Sequence, residues 1–201
     1  MTHFTKIMIV GCGNVGSYLA NVISLRSRSE NDIEELILVD NDLLHEPNFP
    51  YLVMNLAEAK SMSFLRNPKV ICLKYLLSKI KSKDLNIIYC VCKYPEEKYL
   101  LERYLNDCLI IDCRDTDNDL SEFKIKLSQD GKFGNVIINP QNVEINKKNN
   151  YVLKSDKYIC SLFVSDFCKM LFEDRGDLLN DDNKQYLLDY RRGGKLLLLD
   201  R

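Results

Sequence analysis

The fold is decided near the start of the chain by residues 6–20, KIMIVGCGNVGSYLA. A short apolar run leads there into three glycines spaced G-x-G-x-x-G, and a helical pattern follows directly. We expect Gly11 to permit the tight turn, Gly13 to let the backbone approach a phosphate, and Gly16 to let the helix pack closely on the strand. Because the first N–H groups of such a helix point at the anion, the stretch predicts a Rossmann-type nucleotide-binding unit.

An acidic residue ends the second predicted strand. Asp40 is the last residue of LILVD, an apolar run at residues 36–40. In dinucleotide sites a carboxylate at this strand tip accepts hydrogen bonds from the ribose diol. Up to this point the pattern suits ATP and NAD alike.

Apolar runs alternate with helical patterns through roughly the first 115 residues. This alternation predicts an α/β fold, with a Rossmann-like, mostly parallel sheet and helices on both faces. The expected strands are residues 6–10, 36–40, 70–73, 87–92 and 109–113, and the expected helices are residues 14–27, residues 56–65 and a segment whose first residue is Pro95.

The pattern changes after residue 115, where short strand-like runs and turn residues replace the alternation. We therefore divide the chain into a nucleotide-binding unit, residues 1–115, and a C-terminal extension of the same domain, residues 116–201. The extension is expected to contain a hairpin of strands 123–127 and 135–139, a second hairpin of strands 143–145 and 151–153, helices at 158–172 and 181–190, and a final apolar run after Gly193-Gly194.

Composition excludes several classes of partner. The formal net charge is -1, which favours neither nucleic acid nor an anionic membrane surface. No apolar run approaches the length of about 18 residues that a transmembrane helix needs. The eight cysteines include no C-x-x-C pair and mostly lie in apolar runs, so we expect buried thiols, no zinc site and a cytoplasmic location. Cys12 and Cys113 are the candidates for a thioester nucleophile, and we expect both to be inert.

The segment LVDNDLLHEPN, residues 38–48, resembles the ThiF/MoeB/E1 superfamily, which adenylates the carboxy-terminal carboxylate of ubiquitin-like proteins. In that family a strand ends in D-x-D, and an asparagine follows at a set distance. Asp40, Asp42 and Asn48 fit this spacing. Lys60, in LAEAKS, looks like a family lysine that lies at a helix start after a small-residue turn.

A further match lies at Asn67-Pro68, since family members tend to have Asn-Pro before their third strand. The resemblance covers about residues 6 to 73 and implies that ATP lies over the glycine turn. It also implies that Asp40 holds the ribose and that Asn48 and Lys60 face the triphosphate, with or without Mg²⁺. The implied nucleotide-binding residues are Gly11, Gly13, Gly16, Asp40, Asp42, Asn48 and Lys60. The implied partners are a ubiquitin-like or other small protein with a free carboxy terminus and, in a homodimer or heterodimer, a second subunit.

The chain departs from the family pattern in two places. The family continues from its asparagine into an Arg-Gln pair, where this chain has Tyr51 and Leu52. After its fourth strand the family has an Mg²⁺-binding aspartate and, five residues later, an arginine. With residues 87–92 as the fourth strand, those positions hold Lys93 and Lys98, and lysine does not ligate Mg²⁺. Asp112 and Asp115, at the end of the next strand, stay open as ligands, although aspartate is common in loops.

The function is therefore left between several readings. The resemblance implies a divergent ThiF/E1-like protein that binds ATP and that either adenylates a partner or serves as a non-catalytic subunit of such a system. A first alternative is an NAD-dependent oxidoreductase, because the glycine turn and Asp40 suit NAD equally well. A second alternative is an interaction protein that retains the fold alone.

Overall fold

The computed structural model describes residues 4–29, 33–49, 52–115, 123–140, 157–173, 184–192 and 195–199. The described strands form one eight-stranded sheet. In chain order they are β1 (Lys6–Val10), β2 (Glu35–Val39), β3 (Asn86–Cys90), β4 (Cys108–Asp112), β5 (Ile125–Asp130), β6 (Phe133–Ile138), β7 (Gln185–Asp189) and β8 (Lys195–Leu199). Their spatial order is β3-β2-β1-β4-β5-β6-β7-β8.

Strand pairing in the sheet changes from parallel to antiparallel at β5. Strands β3, β2, β1, β4 and β5 pair in parallel, whereas β5 to β8 pair antiparallel. The order of the first four strands reverses between β1 and β4, and in open α/β sheets ligands bind at the carboxyl ends of the strands at such a switch point. The expected α/β fold with a Rossmann-like, mostly parallel sheet and helices is confirmed.

Helices cover the sheet and bury its central strands. The α-helices are α1 (Asn14–Arg26), α2 (Leu56–Ser61), α3 (Lys69–Leu77) and α4 (Lys157–Glu173). On one face, α1, α3 and α4 contribute to a single apolar core with the strands, and α4 packs against α1. On the other face, a 3-10 helix, Lys98–Tyr104, packs Leu101 onto a second apolar cluster. Among the described helices, none combines the length and apolar character that a membrane crossing needs.

The predicted strand at residues 70–73 is wrong, because this segment belongs to helix α3. Its buried residues Val70, Leu73 and Leu77 recur at helical spacing, and Pro68 occupies the N-cap position. Residues 86–90 are consequently the third strand along the chain and residues 108–112 the fourth. The count of strands used to place the Mg²⁺-binding aspartate is therefore shifted by one.

Three other expected elements differ from the structure. Helix α2 ends at Ser61, before the expected end at residue 65. Pro95 follows a cis peptide bond in a turn, and the 3-10 helix begins three residues later, so Pro95 is not the first helical residue. The predicted helix at 181–190 is wrong over its described part, because β7 runs from residue 185 to 189 between β6 and β8.

The first C-terminal hairpin has a tighter turn than expected. Asp130 pairs with Phe133, so only Gly131 and Lys132 form the turn, and Gly131 has a left-handed φ of 56°. The predicted second hairpin, strands 143–145 and 151–153, and the pair Gly193-Gly194 lie outside the described residues. The final apolar run is strand β8.

Candidate functional site

The glycine turn joins β1 to α1 and is packed against the end of β4. Gly11 has a φ of 90° and donates its N–H to the Val39 carbonyl at 2.8 Å. A Cβ at Gly11 would lie 2.8 Å from the Arg114 nitrogen, and one at Gly16 would overlap the Gly11 carbonyl oxygen. A Cβ at Gly13 would meet nothing within 4 Å. Gly11 and Gly16 are therefore needed for packing inside the protein, whereas the space at Gly13 is open toward the cleft.

Asp40 connects the tip of β2 to the glycine turn. Its Oδ2 accepts a hydrogen bond from the Cys12 N–H at 2.7 Å, and its Oδ1 accepts one from the Asp42 N–H at 2.8 Å. Burial raises the pKa of this carboxyl above its usual value, although the two backbone donors and Lys69 oppose the shift. A carboxylate oxygen carries more than one acceptor position, so Asp40 retains capacity to accept a hydrogen bond from a ligand.

A cleft of about 660 Å³ opens at the carboxyl ends of the central strands, where the switch point predicts a ligand site. Of the residues expected to bind nucleotide, Gly11, Gly13, Asp40, Asp42 and Asn48 line it, and Gly16 lies beneath the turn. The rest of its described lining consists of Val10, Asn14, Val15, Val39, Asn41, Leu52, Lys69, Cys92, Lys93, Tyr94, Cys113, Arg114, Asp115 and Gln129.

The structure places Lys60 away from the cleft. It lies in the last turn of α2, and its Nζ contacts the Glu46 carboxylate at 2.8 Å on the surface. Lys69 is the lysine at a helix start, because it is the first residue of α3, and it lines the cleft. Its Nζ lies 2.7 Å from Asp42 Oδ2, its N–H donates to the Asp42 carbonyl at 2.9 Å, and its side chain is only 11% exposed. Lys69, rather than Lys60, is therefore the lysine that lies at a helix start beside the cleft.

Asn48 and Lys93 line the cleft from two loops. The Asn48 side-chain oxygen accepts a hydrogen bond from the His45 N–H at 2.8 Å, which leaves its amide group as the donor. Lys93 follows β3, and its Nζ lies 2.8 Å from Glu96 with a largely exposed side chain. Lys93 therefore places a surface cation at the mouth of the cleft.

The corrected strand count moves the expected metal ligand to Asp115. Strand β4 is the fourth along the chain, and the residues after it read Cys113, Arg114 and Asp115. Asp115 is exposed and lines the cleft. Five residues beyond it, where the family has its arginine, this chain has Leu120, which lies outside the described residues.

Asp112 is engaged by two cations inside the protein. Its side chain is fully buried, and its oxygens lie 2.9 Å from Arg114 Nε and 3.1 Å from Lys126 Nζ. Asp112 is therefore not a candidate metal ligand. Within the described part of the chain, no group of three or more His, Cys, Asp or Glu side chains could hold a metal ion by itself.

Solved structures share this arrangement of strands and helices, although no family model and no curated protein matches the chain. PaaA superposes with a TM-score of 0.68 at 13% sequence identity over 98% of this chain. E. coli MccB with ATP superposes with a TM-score of 0.64 at 14% identity over 99% of this chain. E. coli MccB with MccA-N7isoASN superposes with a TM-score of 0.68 at 15% identity over 98% of this chain. The chain has the fold of PaaA and MccB.

The match covers this chain almost completely but not the neighbours. This chain spans 64% of the length of PaaA and 64% of the length of MccB in its complex with ATP. The shared fold therefore extends over this chain, and the neighbours contain further residues that have no counterpart in it.

None of the eight cysteines has the environment of an activated nucleophile. Burial raises the pKa of every thiol, to about 11 for Cys72 and Cys92 and to about 12 for Cys108. Cys12 and Cys113 are buried, and the pKa of each is raised well above its usual value, chiefly by burial. Because the thiolate is the reactive form, a thioester step at either residue has no support.

We expect the folded protein to react slowly with iodoacetamide at pH 8. A raised pKa leaves less thiolate at any pH below it. The rate of alkylation summed over the eight cysteines should therefore be about tenfold or more lower in the folded protein than in urea. Mass spectrometry of the modified peptides would measure each site. Rapid labelling of Cys12 or Cys113 in the folded state would contradict this assignment.

Proposed function

We propose that this chain binds ATP in the cleft at β1 and β4 and adenylates the carboxy-terminal carboxylate of a peptide or small protein. The observation that carries the proposal is one juxtaposition: Lys69 and Asp115 line the same cleft as the glycine turn. Lys69 supplies a positive charge toward the phosphates, and Asp115 supplies a carboxylate that suits a bound Mg²⁺. The ThiF/E1-type fold supports the same reading, because MccB shares it and has been solved with ATP.

Each cleft residue has a role that follows from its chemistry. The open space at Gly13 and the N-terminal N–H groups of α1 suit a phosphate, and Asp40 suits the ribose hydroxyls. The Lys69 ammonium and the Asn48 amide are donors toward the remaining phosphates. Asp115 would hold Mg²⁺ together with the nucleotide, since Mg²⁺ is usually bound by one or two carboxylates plus substrate phosphates.

In the proposed reaction, a carboxylate oxygen of the partner attacks the α-phosphorus of ATP. The bond between that phosphorus and the bridging oxygen breaks, which yields an acyl-adenylate and pyrophosphate. Negative charge grows on the departing oxygen, and a lysine fixed nearby stabilises it without reorganising. Lys69 is held by Asp42 before the ligand arrives, so its position is set in advance. Bound Mg²⁺ would neutralise further charge on the phosphates.

The partner that we propose is a short peptide or a small protein with a free carboxy terminus, ubiquitin-like proteins included. MccB has been solved with MccA, which supports a peptide-sized partner on this fold. We also propose a homodimer or heterodimer by resemblance to the family, and a cytoplasmic location because the cysteines are free thiols. The buried thiols agree with a product that is released as an adenylate rather than passed to a cysteine.

ATP and NAD are distinguished by thermal unfolding. We expect ATP with Mg²⁺ at a hundredfold excess over its dissociation constant to stabilise the protein by about 2.7 kcal/mol, and NAD to give no shift. Asp115→Asn should bind ATP in EDTA like the wild type but lose the gain from Mg²⁺, whereas Glu35→Gln, a change at an ion pair with Lys6 outside the cleft, should keep it. Stabilisation by NAD alone would favour the oxidoreductase alternative, and stabilisation by neither would favour an interaction protein.

Adenylation needs a separate assay, because binding alone also fits a non-catalytic subunit. ATP–pyrophosphate exchange that depends on an added peptide with a free carboxy terminus would demonstrate the first step. The same peptide with an amidated terminus is the matched control. Binding of ATP without exchange for any peptide or ubiquitin-like protein would reduce the proposal to a nucleotide-binding subunit.

A further inference from the structure

A buried cluster of three charges lies directly behind the cleft. Asp112 on β4 and Lys126 on β5 are paired neighbours in the sheet, and their side chains are 0% and 2% exposed. The third member, Arg114, reaches Asp112 with Nε at 2.9 Å and Nη2 at 3.2 Å. Its Nη1 donates to the Tyr94 carbonyl at 3.1 Å, on the loop after β3. The cluster therefore links β4, β5 and the loop after β3 beside the cleft.

Stability alone is a weak reason for such a cluster. Taking charges out of water is costly, and well-packed apolar residues of similar volume often stabilise a core as well or better. The Lys126 ammonium group contacts a second group besides Asp112, the backbone carbonyl of Arg114.

The cluster fixes the turn that carries Asp115. The Arg114 N–H donates to Asp112 Oδ1 at 2.9 Å, and the Arg114 carbonyl accepts from Lys126 Nζ at 2.5 Å. The backbone on both sides of the Arg114 Cα is thus held by the buried pair, and Asp115 is the next residue. Arg114 also lies against Gly11, where even a Cβ would lie 2.9 Å from its Cγ. One set of contacts therefore positions Asp115 and supports the glycine turn.

We propose that Lys126 and Asp112 are positioning residues that set the place of Asp115, and with it the Mg²⁺-dependent part of nucleotide binding. This inference rests on the proposed ATP site. Lys126 itself is buried and is not among the residues that line the cleft, so it acts through the Arg114 carbonyl. Partners that orient a metal ligand commonly cost about tenfold or more in affinity when they are removed.

The test compares Lys126→Met with Tyr190→Phe. The first change removes the ammonium group and keeps an apolar chain of similar length. The second removes the 2.8 Å hydrogen bond from Tyr190 to Asp166, which is remote from the cleft, and serves as a control for general loss of stability. We expect Lys126→Met to reduce the ratio of ATP affinities with and without Mg²⁺ by about tenfold. Tyr190→Phe should leave that ratio unchanged while it lowers the melting temperature.

A second measurement uses the ligand-free protein and so does not depend on the proposed function. Amide hydrogen exchange at residues 113–115 should accelerate in Lys126→Met and stay at the wild-type rate in Tyr190→Phe, after correction for global unfolding. Should the methionine variant fail to fold, Lys126→Gln takes its place, since its amide is neutral and its shorter chain does not bridge Asp112 and the Arg114 carbonyl. If Lys126→Met has the wild-type ratio of ATP affinities with and without Mg²⁺, the inference is overturned, whatever stability the variant loses. Failure of the wild type to bind ATP would instead overturn the proposed function, while the exchange rates still decide whether the cluster orders the turn.

A double variant that carries both Asp115→Asn and Lys126→Met provides a further test. Its ratio of ATP affinities with and without Mg²⁺ should equal that of Asp115→Asn alone. Two changes that act through the same ligand are not additive, whereas independent effects would add. An additional loss in the double variant would show that Lys126 acts on the site by another route.

Discussion

Lys69→Ala is expected to weaken binding of ATP with Mg²⁺ by between about tenfold and a hundredfold, because a charge-assisted hydrogen bond contributes about 1.5–3 kcal/mol. Folding should change little. The Lys69–Asp42 pair lies at the protein surface on the Asp42 side, whose side chain is 62% exposed, and such pairs contribute at most about 1 kcal/mol. Isothermal titration calorimetry would measure the affinity and urea unfolding the stability.

Lys60→Ala is the matched control for this prediction. Both residues are lysines in an ion pair, but Lys60 contacts Glu46 outside the cleft. We expect its removal to leave ATP affinity within about twofold of the wild type, because a surface charge that does not contact the ligand has little effect on binding. Equal losses of ATP affinity in the two variants would contradict the assignment of Lys69. A loss of affinity confined to Lys60→Ala would assign the nucleotide-binding role to Lys60 instead.

The second large effect is a contrast between two glycines of the same turn. Gly16→Ala places a methyl group on the Gly11 carbonyl oxygen, so the helix must move away from the strand. Overpacking of this kind costs about 1–3 kcal/mol, and here the backbone offers little room to adjust. Gly13→Ala meets no atom within 4 Å, so its stability should change by less than about 1 kcal/mol.

ATP binding should respond in the opposite order. A methyl group at Gly13 projects into the open space where the phosphate would approach the backbone, and we expect a loss of tenfold or more, about 1.4 kcal/mol. Thermal unfolding with and without ATP would measure both effects on the same samples. A Gly13→Ala variant that binds ATP normally would show that the nucleotide does not approach this turn.

Local patterns were sufficient for the first half of the site. The glycine turn, the strand before it and the helix after it lie where the sequence places them, within a residue or two. Asp40 likewise follows its strand directly, because its position depends only on where an apolar run ends. These features could be predicted since strand, turn and helix each carry their own signal over a few neighbouring residues.

The rest of the site depends on one helix. The segment KVICLKYLL is apolar enough for a buried strand, and the family resemblance places a strand after Asn67-Pro68. The spacing of Val70, Leu73 and Leu77 fits a helix as well, and in the structure Pro68 is the N-cap residue of that helix. With residues 70–73 counted as a strand, Lys69 does not stand out as a lysine at a helix start, and the shifted strand count leaves Asp115 as one of two open metal ligands.

No local signal could have identified the contacts of Arg114 and Lys126. They depend on β4 pairing with β5 across a stretch of residues that carries no regular pattern. The strand at 185–189 was missed for a related reason. Its sequence fits a helix, but pairing with β6 and β8 on either side fixes it as a strand, and tertiary context commonly overrides such preferences.

The pairing of Asp112 with Lys126 also limits how this protein can be recombined. Asp112 precedes residue 115, where we divide the chain, and Lys126 follows it, so a chimera joined at that point takes the two side chains from different proteins. A donor with an apolar residue at the position of Lys126 would leave the Arg114 carbonyl without that contact, even if the chimera folds. We therefore expect such a chimera to keep the wild-type turn at Asp115 when it retains both the acid and the lysine.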